Sequence, residues 1–220
     1  MTLVKVCGIG SVEDGRAALD AGADLLGFIF WRPGKRYVPP TEAARIVDAL
    51  RAHGRTWSAV GVFVDPEPSE VEAAARLCDL DYVQLSGNET PALVRHVQQR
   101  TIKAVHVRPD KEAQAAQDVE RNAFGADMYL LDTHAEAMPG GTGVPFEWPA
   151  LRAVGSNCLV AGGLRPDNVT RALETLLPLG VDVSSGVEFS ESDGRRRQRK
   201  DPRLINEFME AVRSYDARLG

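Results

Sequence analysis

The stretches CLVAGG (residues 158–163) and VDVSSG (residues 181–186) share one layout, in which a short and largely apolar run ends in small residues. Such a run, bounded by glycine or serine, is typical of a buried strand in a parallel sheet. The same layout recurs towards the N-terminus, so the sequence predicts eight strands: Leu3–Cys7, Leu25–Phe30, Ser58–Val64, Asp81–Leu85, Ile102–Val107, Met128–Leu131, Cys158–Ala161 and Val181–Ser184.

The segments between these runs are rich in alanine, leucine and charged residues, which predicts helices. The repeat of roughly 20–35 residues is about the size of one βα unit. Strands that alternate with helices pair in parallel, because each helix carries the chain back across the sheet. Eight such units close a barrel. We therefore predict an α/β fold, a single (β/α)8 barrel domain over residues 1–220, with an open doubly wound sheet as the alternative.

Helix starts support this division of the chain. Ser11–Asp14 and Ser69–Glu72 have the capping-box pattern, in which side chains satisfy the first free backbone N–H groups. Thr90-Pro91 and Asp201-Pro202 each place a capping residue before a proline at the first helical position.

Composition and charge exclude several classes of protein. The formal net charge of −5 gives no general attraction to nucleic acid or membranes. No window approaches the ~20 apolar residues of a membrane span, and residues 1–5 lack the zones of a signal peptide, so we expect a cytoplasmic protein. The basic run RRRQRK (residues 195–200) is interpreted as a solvated loop, the alternative being that it attracts anionic ligands.

Candidate catalytic residues follow the predicted strands, because the catalytic face of such a barrel lies at the strands' C-terminal ends. Cys7 ends the first strand, Arg36 lies in the loop after the second, and Asp132 follows the sixth. Each has a structural alternative: Cys7 as a small buried hydrophobe, Asp132 as a cap or turn residue, and Arg36 as a solvated side chain.

Two loops have the composition of a phosphate site. Gly162 and Gly163 follow the seventh strand, and Ser184, Ser185 and Gly186 follow the eighth. Barrels often bind phosphate at these loops through backbone N–H groups, and glycine allows the backbone to approach the anion closely. The alternative is a pair of tight turns. The stretch GGTG (residues 140–143) is either a third contributor or a flexible loop.

Ordered motifs along nearly the whole chain resemble the phosphoribosylanthranilate isomerase family. They are KVCGI (5–9), GADLLGFIF (22–30), KRYV (35–38), GVFV (61–64), VQL (83–85), LLDT (130–133), GGTG (140–143), FEW (146–148), LVAGGLRPDNV (159–169) and VDVSSGVE (181–188).

The resemblance implies an Amadori rearrangement in tryptophan biosynthesis, with Cys7 as general base and Asp132 as general acid. It also implies that Arg36 grips the anthranilate carboxylate and that the loops with Gly163 and Ser184–Gly186 hold the phosphate. The expected partner is a small phosphorylated substrate, with no cofactor or metal, and the chain is expected to be a monomer or a homodimer. Such chemistry requires a thiol pKa lowered by a nearby cation and a carboxyl group that keeps its proton.

The chain departs from the family's pattern at three places. Gly10 stands where threonine is usual, Ser86 stands where histidine is usual, and residues 189–199 are longer and more basic. An isomerase of a related aminoribosyl phosphate is therefore an alternative, as is a non-catalytic phosphate-binding barrel.

A metal-dependent sugar-phosphate epimerase is a further rival. The four histidines, His53, His96, His106 and His134, are scattered, and only His106 and His134 lie near strand ends. The three cysteines are odd in number and widely spaced, which argues against a zinc site or a disulfide framework.

Overall fold

The computed structural model of the chain describes residues 1–108, 111–133, 148–189 and 199–220. Eight parallel strands pair in sequence order, and β8 returns to pair with β1, so the sheet is a closed barrel. The predicted (β/α)8 barrel is thereby confirmed and the open sheet is excluded. The strands are β1 Leu3–Cys7, β2 Leu25–Ile29, β3 Ser58–Phe63, β4 Tyr82–Leu85, β5 Arg100–Val107, β6 Met128–Thr133, β7 Cys158–Ala161 and β8 Gly180–Val183.

A helix follows each strand and returns the chain to the opposite face of the barrel. The α-helices are α1 Val12–Ala21, α2 Pro40–Arg51, α3 Pro68–Leu77, α4 Pro91–His96, α5 Glu112–Glu120, α6 Trp148–Val154, α7 Val169–Leu176 and α8 Pro202–Leu219. Short 3-10 helices, Gly155–Asn157 and Ser185–Val187, flank β7 and β8. The described helices include none that is long and apolar enough to span a membrane.

Three of the four predicted helix starts are confirmed and one is wrong. The side chains of Ser11, Thr90 and Asp201 each accept a backbone N–H at the start of their helix. The box predicted at Ser69 is displaced, because α3 begins at Pro68 and its capping box joins Glu67 to Glu70. Proline suits the first helical position, where its missing N–H costs nothing, so the cap moves to the residue before it.

Strand ends follow hydrogen-bonded pairing rather than apolar character. β6 runs two residues past the predicted Leu131, because Asp132 and Thr133 pair with His106 and Val107 of β5. Asp132 therefore lies within its strand and not after it. β8 begins and ends one residue earlier than predicted, at Gly180 and Val183. The alternation of side chains along these strands fixes which of them face the barrel interior.

Among the residues that the structure describes, the buried apolar side chains form two clusters. The larger lies between the strands and the surrounding helices, and includes Val4, Val6, Leu26 and Phe28. The smaller fills the barrel interior with Cys7, Leu25, Val60, Val62, Tyr82, Ile102, Ala104, Leu130, Leu159 and Ala161. The barrel interior is a packed core. Candidate catalytic residues are therefore expected at the rim formed by the C-terminal ends of the strands.

Candidate active site

Cys7 lies at the C-terminal end of β1, where it is buried and 6% exposed. Its carbonyl oxygen accepts a hydrogen bond of 3.0 Å from the hydroxyl of Ser184, which follows β8. Because β1 and β8 are paired, this contact joins the predicted base to one of the predicted phosphate loops. The sequence placed these residues at one rim, and the structure brings them into contact.

A buried ion pair lies beside the Cys7 thiol. Lys5 shares the interior face of β1 with Cys7, since alternate residues of a strand point to the same side. Its Nζ atom lies 3.0 Å from Oδ1 of Asp182 in β8. Burial raises the pKa of the Cys7 thiol above its ordinary value, and Lys5 opposes that rise only in part. The pKa of the Cys7 thiol is therefore raised, whereas the expected chemistry called for a lowered one.

A cavity of about 190 Å³ opens at the ends of β6, β7 and β8. It brings together five residues predicted from the sequence, Asp132, Gly162, Gly163, Ser184 and Ser185, and adds one that was not predicted, Asp182. The cavity is also lined by Ala161 and Leu164. Burial raises the pKa of Asp182, Lys5 opposes this rise, and the charge of Asp132 adds to it.

The two glycine-bearing loops form one wall of this cavity. Gly162 and Gly163 have φ values of 101° and 66°, in the left-handed region that favours glycine. The Gly163 carbonyl is held by the Asn168 side chain at 3.1 Å. Gly186 lies so close to Leu164 that a Cβ atom at position 186 would clash with the Leu164 carbonyl oxygen. The loop after β8 therefore packs directly on the loop after β7.

Arg36 is bound by a carboxylate that the sequence analysis did not single out. Its Nε and Nη2 atoms donate to Glu188 at 2.6 and 2.8 Å. Lys200 donates to the same carboxylate at 2.9 Å and to the Ser184 carbonyl at 3.0 Å. Although burial acts to raise the pKa of Glu188, these two cations hold it below its ordinary value. Arg36 is thus fixed at the rim and is not a freely solvated side chain.

The basic run at residues 195–200 was interpreted as a solvated loop, and its described end corrects that interpretation. Lys200 is only 2% exposed, because it lies between Glu188 and the loop after β8. Arg199 donates to the buried Asp14 at 2.9 Å. Residues 195–198 and the predicted third glycine loop, 140–143, lie outside the described residues.

Asp132 pairs with a histidine on the neighbouring strand. His106 Nδ1 lies 3.3 Å from Asp132 Oδ2, and His106 Nε2 lies 2.8 Å from the Ser86 carbonyl oxygen. The hydrogen bond to Asp132 is the largest influence on His106 and raises its pKa. In the part of the chain that the structure describes, three or more histidine, cysteine or acidic side chains nowhere cluster as metal ligands would.

Sequence reasoning missed Lys5, Asp182, Glu188, Lys200 and His106. Two of them could have been predicted, because Lys5 and Asp182 are charged residues inside apolar strands. Each lies two positions before a predicted site residue, Cys7 or Ser184, and so on the same face of the strand. Nothing in the local sequence links Glu188 to Arg36, since the two residues are 152 positions apart.

Comparison with known proteins finds matches over nearly the whole chain. The family model described as N-(5'phosphoribosyl)anthranilate (PRA) isomerase matches residues 4–211. The N-(5'-phosphoribosyl)anthranilate isomerase of Geobacter sp. (strain M21) is 44% identical over 209 residues, which covers 94% of this chain and 98% of the relative.

Two solved structures also resemble the chain closely. Phosphoribosyl anthranilate isomerase from Thermotoga maritima has a TM-score of 0.81 and 33% identity, covering 97% of this chain and 100% of the other. A phosphoribosyl anthranilate isomerase in complex with reduced 1-(o-carboxyphenylamino)-1-deoxyribulose 5-phosphate has a TM-score of 0.79 and 32% identity, with the same coverage. With its closed barrel, its rim of Cys7, Asp132 and glycine loops, and these matches, the chain belongs to the N-(5'-phosphoribosyl)anthranilate isomerase family.

Proposed function

We propose that Cys7 and Asp132 are the general base and general acid of this isomerase. The family's reaction converts N-(5'-phosphoribosyl)anthranilate into 1-(2-carboxyphenylamino)-1-deoxyribulose 5-phosphate, a step of tryptophan biosynthesis. The observation that carries the residue assignment is the cavity at the ends of β6, β7 and β8. It gives a phosphosugar a site lined by Asp132 and by the loop after β8. The Ser184 hydroxyl of that loop is hydrogen-bonded to the Cys7 carbonyl oxygen.

The phosphate end of the substrate is assigned to Gly162, Gly163, Ser184, Ser185 and Gly186. Left-handed glycines expose backbone N–H groups without a side chain in the way, and anions bind readily where several such groups converge. The packing of the loop after β8 on the loop after β7 supports this assignment, because it puts two sets of donors side by side. The relative solved with a ligand carries a compound that bears a 5-phosphate.

The aromatic end is assigned to Arg36. Glu188 occupies the side of the guanidinium formed by Nε and Nη2, so the edge with Nη1 remains to meet the substrate carboxylate. A guanidinium held by one carboxylate is oriented before a second one arrives, which reduces the ordering cost of binding. The substrate carboxylate would therefore meet an edge of the guanidinium that Glu188 orients.

Asp132 and Cys7 each carry out one proton transfer in the proposed reaction. Asp132 gives its proton to the furanose ring oxygen, the bond from C1 to that oxygen breaks, and the nitrogen lone pair forms the C1=N iminium. The Cys7 thiolate then takes the proton from C2, and the C2–H electrons form the enolamine double bond. Tautomerisation of the enolamine moves a proton to C1 and leaves a C2 ketone, so no external redox partner is needed.

The raised pKa of the Cys7 thiol is compatible with this order of reaction steps. The iminium places a new positive charge next to the thiol only after the ring has opened. A nearby cation favours the thiolate, in the same way that Lys5 does. The positive charge therefore favours loss of the thiol proton to solvent and gives the thiolate at the step that uses it.

The test is growth of a tryptophan auxotroph that lacks this isomerase. Complementation by the chain, together with turnover of phosphoribosylanthranilate by the purified protein, supports the proposal. Turnover only of another aminoribosyl phosphate would favour the alternative raised by Gly10 and Ser86. The cytoplasmic location, the single domain over residues 1–220 and the choice between monomer and homodimer stay predictions from the sequence.

A further inference from the structure

His106 and Asp132 face each other across the β5–β6 pairing at the catalytic rim. They are register partners in the two strands, and Nδ1 of the imidazole lies 3.3 Å from Oδ2 of the carboxyl group. Their side chains are 56% and 37% exposed, so both reach the mouth of the barrel and neither is a core residue. An imidazole in contact with an acid's carboxyl oxygen affects both its orientation and its proton.

The hydrogen bond made by Nε2 of His106 determines the protonation of Nδ1 in the neutral ring. Nε2 lies 2.8 Å from the Ser86 carbonyl oxygen, which only accepts hydrogen bonds, so Nε2 carries a proton. Nδ1 therefore presents a lone pair to Asp132 when the ring is neutral and an N–H when it is charged. In the first case the carboxylic acid donates to Nδ1, and in the second Nδ1 donates to the carboxylate. Both arrangements contain one proton between the two groups.

The Ser86 carbonyl is held by a buried clamp. Lys103 of β5 and Glu89 form an ion pair of 2.8 Å whose side chains are 3% and 0% exposed. Lys103 also donates to the Gly87 carbonyl at 2.8 Å, while Glu89 accepts the Gly87 N–H at 2.8 Å. The loop that carries Ser86 is thereby tied to the strand that carries His106. The imidazole consequently has a rigid support on the side away from Asp132.

We propose that His106 is the positioning residue for the general acid, holding Asp132 by its Nδ1 atom and sharing with it the single proton that starts the reaction. This proposal rests on the proposed function, because it takes Asp132 as the acid. After the ring oxygen has received the proton, a carboxylate and a neutral imidazole are left. The pair regains a proton from solvent, while the proton that Cys7 took from C2 returns to solvent, so the cycle balances.

The charges around the pair favour retention of the proton. Asp132 raises the pKa of His106, against the effect of burial, and Lys103 on the same strand lowers it. Lys103 is itself neutralised by Glu89. Asp182 lines the same cavity as Asp132, and its charge is paired with Lys5. The pKa of His106 is therefore raised above that of an unpaired imidazole, mainly by the hydrogen bond to Asp132.

The kinetic test replaces His106 with Asn and with Gln, neither of which titrates. We expect kcat to fall about tenfold to a hundredfold, as for a misplaced catalytic group, with KM nearly unchanged. The alkaline limb of the kcat–pH profile should move to lower pH, because the imidazole, whose pKa is raised, no longer takes part in holding the proton. His53→Asn is the matched control, since His53 pairs with Asp20 at 3.0 Å after α2, at the other end of the barrel. Wild-type kcat and an unmoved alkaline limb in both His106 variants would overturn the proposal.

A measurement without activity separates this proposal from the proposed function. Nuclear magnetic resonance titration of the His106 ring should give a lower pKa in Asp132→Asn than in the wild type, with Nε2 protonated throughout. An identical pKa in the two proteins would show that the contact is not made. If Asp132→Asn keeps wild-type turnover, the acid assignment fails. If it is inactive while the His106 variants are normal, only the role of His106 fails.

Discussion

Nζ of Lys5 lies 3.0 Å from Oδ1 of Asp182 inside the barrel, and their side chains are 0% and 9% exposed. The two residues belong to β1 and β8, so the pair spans the junction at which the barrel closes. It also lies beside the Cys7 thiol, whose pKa responds to both charges. One ion pair thus bears on the stability of the barrel and on the proposed base.

Replacing Lys5 with Met should lower the free energy of unfolding by about 3–5 kcal/mol, because Asp182 is left buried without its counter-charge. Urea denaturation measures this loss. The double variant Lys5→Met/Asp182→Asn should regain a large part of it, since no unpaired charge remains. Arg45→Met is the control: it breaks an exposed pair with Glu42 and should cost about 0–1 kcal/mol. Equal losses of unfolding free energy in Lys5→Met and Arg45→Met would contradict the prediction.

Cys7→Ser and Asp132→Asn should each fold and each lose roughly 10²–10⁴-fold in kcat, as for general acid–base groups. Both changes preserve side-chain shape, so the melting temperature should change little. Steady-state kinetics with phosphoribosylanthranilate, together with thermal unfolding, separates loss of chemistry from loss of fold. Near-wild-type turnover in either variant would remove that residue from the mechanism.

Arg36→Met should raise KM for the carboxylated substrate much more than it lowers kcat, because a neutral chain offers no pairing for the carboxylate. The fold should survive, since Glu188 keeps Lys200 as a partner. Arg36→Lys keeps the charge but loses the planar fork, so its KM should lie between those of the wild type and Arg36→Met. Arg218→Met, at an exposed pair with Glu174, serves as the matched control. An unchanged KM in Arg36→Met would mean that the aromatic end binds elsewhere.

Gly186→Ala should raise KM strongly through the phosphate end of the substrate. The added Cβ atom would clash with the Leu164 carbonyl oxygen and push the two glycine-bearing loops apart. Gly54→Ala is the matched control, because a Cβ atom there meets open space. Inhibition by inorganic phosphate should weaken in parallel with the rise in KM for Gly186→Ala. If phosphate inhibits the variant as well as the wild type, the anion binds at another place.

The sequence predicted the fold because strand-length apolar runs and their spacing are local properties. Cys7 was placed correctly for the same reason, since it closes an apolar run. The partners of the site were beyond reach because they arise from tertiary contacts. Nothing near Arg36 in the chain announces Glu188, and the displacement of Asp132 into β6 depends on pairing with His106. The α3 start was misplaced because Pro68 outweighed a good capping residue beside it.

The Ser184 hydroxyl and the Cys7 carbonyl are 177 residues apart in the chain and yet share a hydrogen bond. The ribosome therefore synthesises Cys7 long before it synthesises Ser184. Until β8 docks, β1 is an edge strand with unsatisfied backbone groups, which is a hazard during synthesis. Contacts of such long sequence separation form late and slowly. The recovery of turnover during refolding therefore measures the final closure of the barrel. The recovery of helical structure does not measure this event.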